Sequence, residues 1–214
     1  MPVQSELNNS DTIRFSRNDY SYELTPVYGY EISGLIASKM NYQAFSLEKF
    51  EKVFPLDLCL IWGSNVANGA HRNREVLFSQ DCRWCMVWVR QAGIKFNYNE
   101  LSNNHLLISD PGLERKAKSL LVGDQVKIIG KLVNVKANLV GKPGSFDAAH
   151  YTLKSSTNRE DKGAGACEVI YVEDIEVLKK ANVAADFLFH ISLYAIIGLV
   201  VWKALRFFSI IKLE

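Results

Sequence analysis

The run Gln125-Val-Lys-Ile-Ile-Gly-Lys-Leu-Val-Asn-Val135 reads as a β-strand. Val126, Ile128 and Leu132 share one face of a period-two pattern, and Gly130 marks a bulge. Gly123-Asp124 makes the turn before it. Upstream, Asp110-Pro111 opens a helix running to about Leu121. Asp110 is a capping residue, Pro111 suits the first helical position, Glu114 lies in the first turn, and Lys116 and Lys118 follow. A helix that feeds a turn and then a half-buried strand fixes the middle of the domain, and the other segments are read against it.

Four more segments are β-type. Tyr28 to Ser38 puts Tyr28, Tyr30 and Ile32 on one face, with Gly34 allowing a bend. Leu56 to Gly63 is too short for a helix after Pro55 and reads as a buried strand. Val76 to Val89 is a long β-rich run with a turn at Gln80-Asp81. Glu168 to Leu178 is the last strand. Between the first two, a short helix starts at the cap Ser46, with Phe45 and Phe50 as a hydrophobic staple. Asn97 to Asn104 reads as an Asn-rich connection, and Asn138 to Cys167 as a long loop. Met1 to Asp19 is polar and reads as a disordered N-terminus.

The expected order is strand, strand, strand, helix, strand, strand. That pattern resembles the OB-fold, a partly open five-stranded Greek-key barrel with a helix between strands 3 and 4. The phrase Val122-Gly-Asp-Gln-Val-Lys-Ile-Ile-Gly-Lys-Leu resembles the fourth strand of such domains. The expected class is therefore mainly β (α+β): an OB-like soluble domain over residues 20–180. Leu101-Ser-Asn-Asn-His-Leu-Leu, the Gly-Asp-Gln-Val phrase and Gly165-Ala-Cys-Glu-Val-Ile-Tyr-Val-Glu-Asp together resemble uncharacterised bacterial membrane proteins. In those, an OB-like domain stands between an N-terminal and a C-terminal anchor, and the resemblance implies no activity. This sequence shows only the second anchor.

That anchor is residues 183–213. Phe187 to Trp202 is free of formal charge, and a hydrocarbon core of about 30 Å needs roughly 20 helical residues. Trp202, Lys203, Arg206 and Lys212 follow where interfacial anchors belong. The reading is one transmembrane helix with the lipid bilayer as a partner. Two signals conflict over the side of the membrane. The N-terminus offers no export signal, yet Lys203, Arg206 and Lys212 outweigh Lys179 and Lys180, which favours the C-terminus inside. The resemblance tips the expectation to a single-pass protein of a bacterial inner membrane with its domain in the periplasm.

Net charge is +2 for the whole chain, and the stretch from Ala181 onward carries +1 of it. The remainder is nearly neutral, which disfavours a bulk nucleic-acid partner. Trp62, Trp84 and Trp88 fall on expected strands two and three, where barrels of this type stack bases or sugars. With Arg83 and, from the long loop, Arg159, they are the candidate ligand-binding residues. Aromatic filling of the core competes with that reading.

Cys82-Arg83-Trp84-Cys85 has the spacing of a redox pair or half a zinc site. On a strand, residues three apart point to opposite faces, and no second pair stands at zinc spacing. No metal and no cofactor is expected. The cysteines read as ordinary buried residues, with a disulfide of Cys59 or Cys85 to Cys167 as the rival. Asn103-Asn104-His105 is a weaker polar candidate. No catalytic motif appears. The functional expectation is a non-enzymatic binding or scaffold module, an accessory subunit of an envelope assembly, with another protein as its partner. The alternatives are a nucleic-acid-binding barrel at the cytosolic face and a small enzyme without a recognisable motif.

Overall fold

The structure is a computed structural model, which describes residues 1–17, 19–42, 53–81, 84–140, 149–158, 167–181 and 183–211. In chain order the strands are β1 (Val3–Ser5), β2 (Ile13–Arg17), β3 (Tyr20–Asn41), β4 (Leu56–Ile61), β5 (Val76–Asp81), β6 (Trp84–Val89), β7 (Leu101–Leu107), β8 (Gln125–Leu139), β9 (His150–Leu153) and β10 (Cys167–Lys179). The helices are α1 (Gly63–Ala67), α2 (Pro111–Ser119) and α3 (Val183–Ile211). The chain divides into two units, Met1–Lys179 and Lys180–Glu214.

The first unit is mainly β. Antiparallel pairings join β3 to β4, β4 to β7, β10 to β8 and β8 to β3, and β7 runs parallel to β10. Following them from β3 through β4, β7, β10 and β8 leads back to β3. Buried side chains from all five strands meet in one cluster: Tyr30 and Ile32 from β3, Leu58 from β4, Leu106 from β7, Ile128 from β8 and Ile170 from β10 are among them. Ala117 of α2 and Leu120 beyond it join the same cluster.

The helix expected from Asp110 is α2. The Asp110 carboxylate accepts from the Leu113 N–H at 2.6 Å, which satisfies one of the orphan donors of the first turn. At the other end, Lys39 of β3 donates to the carbonyls of Lys118 and Leu120 at 2.6 and 2.7 Å. A cation on the last carbonyls suits that end of a helix. Burial holds the Lys39 ammonium below its ordinary pKa, and Asp124 opposes that.

Gly130 does face an irregularity, but the extra residue is on the neighbouring strand. Val172 pairs with Gly130 and Asp174 with Ile129, so β10 bulges between them. A Cβ on Gly130 would collide with the Tyr171 carbonyl. On β3 the register shifts between Pro26 and Tyr28. Pro26 has no N–H to give, and a bulge there accommodates it.

Several segments differ from expectation. The third strand of the cycle is β7, not the run Val76–Val89. That run folds back as β5 and β6 into a separate two-stranded sheet. The N-terminus read as disordered supplies β1 and β2, both paired with β3. Arg17 on β2 pairs with the buried Glu114 of α2 and donates to the Ser109 carbonyl at 3.2 Å. The long loop after Asn138 contains β9, which pairs with β8. The short helix expected from Ser46 lies outside the described residues.

The second unit contains α3, whose Phe187–Ala204 segment is long and apolar enough to cross a membrane and has no buried residue.

Candidate functional site

The side chains that could carry chemistry sit on β4, β7 and β10, on the face opposite the enclosed cluster. Strand alternation separates the two sets. Leu56, Leu58 and Leu60 of β4 belong to the enclosed cluster, whereas Cys59 and Ile61 belong to another. Asp57 stands directly across from His105, and Cys59 from Asn103. On the other side of β7, Cys167 is across from Asn103 and Val169 from His105. Asp57, His105, Asn103 and Cys167 are therefore neighbours on one face.

Asp57 is fully buried and His105 is 2% exposed. His105 Nδ1 lies 2.8 Å from Asp57 Oδ2, and the Tyr42 hydroxyl donates to the same oxygen at 2.8 Å. The Phe54 ring covers the imidazole at 5.2 Å between centroids. Burial alone would hold the His105 pKa down, but the Asp57 charge and hydrogen bond, with a further hydrogen bond to Cys167, raise it to about 9. The imidazole is thus a cation at neutral pH, held between a carboxylate and a thiol.

Cys167 is a free thiol, half-buried at the start of β10. Asn103 Nδ2 donates to its sulfur at 3.5 Å. The orientation of that amide is set from β5, because Gln80 Nε2 donates to Asn103 Oδ1 at 3.0 Å. A disulfide joins Cys59 of β4 to Cys85 of β6, with Cα atoms 5.6 Å apart. Cys59 and Cys85 are therefore neither ordinary buried thiols nor bonded to Cys167. Cys85 belongs to the hairpin, which packs over β4, and that pairing needs only the β6 sulfur turned inward.

On the opposite face of β7 is a second polar group. Ser102 Oγ lies 2.7 Å from Glu168 Oε2 and 3.0 Å from Asn104 Oδ1, and Asn104 Nδ2 donates to the Leu58 carbonyl at 3.1 Å. These contacts satisfy polar groups that burial would otherwise penalise.

The aromatic residues singled out from sequence do not converge on this face. Trp62 is the residue before α1 and packs partly buried against the enclosed cluster. It lines an open groove of about 340 Å³ with Ile61, Val66, Gln125 and Leu178. Trp84 and Trp88 are exposed on β6 of the separate hairpin. Arg83, Arg159 and Cys82 lie outside the described residues. Among the described residues no group of three or more His, Cys, Asp or Glu is placed to hold a metal ion.

Asp57 and Tyr42 went unnoticed in the sequence. The signal for Asp57 was present: a carboxylate inside Leu-Asp-Leu-Cys-Leu must be paired if that strand is buried. Compared with known proteins, the chain matches no family model, no curated protein and no solved structure.

Proposed function

We propose that this protein is a membrane-anchored, non-enzymatic OB-like module that holds a partner protein at a bacterial inner membrane, with the β-rich unit in the periplasm. The observation that carries the barrel is the cycle of pairings through β3, β4, β7, β10 and β8, with β7 parallel to β10 and α2 between β7 and β8, the third and fourth of these strands in chain order. An OB-fold has that number of strands and that helix position. Support for the anchor comes from the unburied apolar segment of α3. The Cys59–Cys85 bond favours an oxidising compartment.

A protein partner fits better than a nucleic acid. In OB-folds the second and third strands offer a binding face. Here the outer face of β4 and β7 is already covered by Phe54, Tyr42, Gln80 and the disulfide-tied hairpin. The exposed aromatics Trp84 and Trp88 are instead on that hairpin, and large aromatics are enriched at the centres of protein interfaces.

Removing everything after Val183 tests the anchor: the shortened protein should be folded and in the soluble fraction. Retention on membranes through a high-salt wash would defeat the reading. For the compartment, cysteine is placed at exposed Glu6 with Cys82 and Cys167 replaced by serine. A membrane-impermeant maleimide should then label intact cells. Tryptophan quenching by oligonucleotides that weakens with salt would favour a nucleic-acid ligand instead.

A further inference from the structure

We propose that Cys167, with His105, Asp57 and Asn103, is a thiol–disulfide exchange site that captures an external disulfide as a mixed disulfide. The site lies wholly within the first unit, so it does not depend on the anchor.

The arrangement has the parts such a step needs. Cys167 is partly accessible, which a nucleophile must be. Cys167 and His105 are diagonal neighbours across β10 and β7, within reach of one another. Asp57 and the Tyr42 hydroxyl fix the imidazole from behind. The Asn103 amide, oriented by Gln80, turns an N–H toward the sulfur. The Asn103 N–H and the His105 ring thus stand beside the sulfur, where negative charge develops during the attack.

The step balances without a further reagent. The Cys167 sulfur, its proton given up to water, attacks one sulfur of a disulfide R–S–S–R′ with the His105 imidazolium beside it. The R–S–S–R′ bond breaks as the Cys167–S–S–R bond forms. The departing R′ thiolate takes a proton from water, which balances the one Cys167 gave up. Cys167 is oxidised and R′ is reduced to a thiol.

Cys59 of the internal disulfide is not the sulfur attacked. Cys167 faces Asn103, and Asn103 faces Cys59. Cys167 and Cys59 are thus two strand spacings apart, roughly 10 Å, and bridged cysteines have Cα atoms no more than about 7 Å apart. Among the described residues Cys167 is the free thiol, and the step proposed ends at the mixed disulfide. The disulfide comes either from a small-molecule pool or from a protein.

The test uses the full chain in detergent with Cys82→Ser, leaving Cys167 as the one free thiol. Its reaction with glutathione disulfide and with a disulfide-bridged peptide is followed at pH 7, and the adduct is located by mass. At least one of the two should react with native protein tenfold or more faster than with the same chain unfolded in denaturant. Faster reaction with the peptide indicates a protein source, and faster reaction with glutathione disulfide a small-molecule one. Asn103→Ala and Asp57→Asn, each verified as folded by near-ultraviolet circular dichroism, should slow the native reaction at least tenfold. A native rate equal to or below the unfolded rate with both probes would overturn the proposal without reference to any variant. So would unchanged rates in both folded variants.

Discussion

His105 Nδ1 is 2.8 Å from Asp57 Oδ2, and neither residue meets solvent to any extent. The pair makes stability depend on pH. The folded-state pKa of His105 is raised to about 9, whereas an unfolded histidine titrates near 6.5. Between these values the folded chain holds the proton more often than the unfolded one, so stability falls as pH rises. The contribution is complete below about pH 6.5 and gone above about pH 9, and amounts to about 3 kcal/mol. Among the described residues Asp57 and Cys167 are the titratable groups that act on the ring, and Tyr42 bonds to Asp57 behind it. Thermal scans from pH 6 to pH 9.5 should show a falling Tm, and the fall should flatten in folded His105→Gln. A Tm that rises over this range would contradict the assignment.

Reducing the Cys59–Cys85 bond should loosen the hairpin more than the cycle. The bond closes a separation of 26 residues, for which chain entropy gives about 3 kcal/mol. Hydrogen exchange in the Cys59→Ala/Cys85→Ala chain should quicken across β5 and β6 and change little across β8 and β10. Equal loss of protection everywhere would mean that the hairpin is integral to the main sheet.

Arg17→Met should lower stability by about 2 kcal/mol. It leaves the buried Glu114 carboxylate with Lys118 as its remaining cation among the described ion pairs, and removing one partner of a buried pair is costly. Arg17→Met combined with Glu114→Gln should recover much of the loss. A double variant as unstable as the sum of the two single changes would argue against the pairing.

Gly130→Ala should be among the most damaging single-methyl additions in the chain. The new carbon meets the Tyr171 carbonyl, which is backbone and cannot rotate away. Overpacking of this kind costs about 1–3 kcal/mol. Denaturant midpoints for Gly130→Ala and for Gly69→Ala would separate steric collision from backbone strain, because Gly69 has open space but a positive φ of 70°.

Much of the first unit was legible where polarity alternates with burial. β8 and α2 fit that description, and their caps and turns were readable from single residues. β7 was not legible, because its run Ser102-Asn103-Asn104-His105 looks like a connection. It is buried all the same, since Glu168, Gln80, Leu58 and Asp57 supply partners that lie far away in sequence. Val76–Val89 had the better strand composition and was read as the third member, yet its two halves pair with each other. Local composition reports how well a residue suits a sheet, but not which sheet. The same blindness hid the thiol site. His105 was noticed as a lone polar residue, and only the register of β4 and β10 shows what stands beside it.

The parallel pairing of β7 with β10 also dictates an order of events during synthesis. Asn103 and Cys167 are 64 residues apart, and β8, synthesised between them, has to find both β3 and β10. Long-range pairings of this kind form slowly. Nothing in the cycle can close until β10 has left the ribosome, and by then the apolar α3, which follows β10 almost at once, is next to emerge. The nascent chain therefore reaches its most water-averse segment before the rest has acquired its native structure. The last strand to be made completes both the cycle and the surroundings of Cys167, whereas β4 and β6, which carry the disulfide, are made well before it.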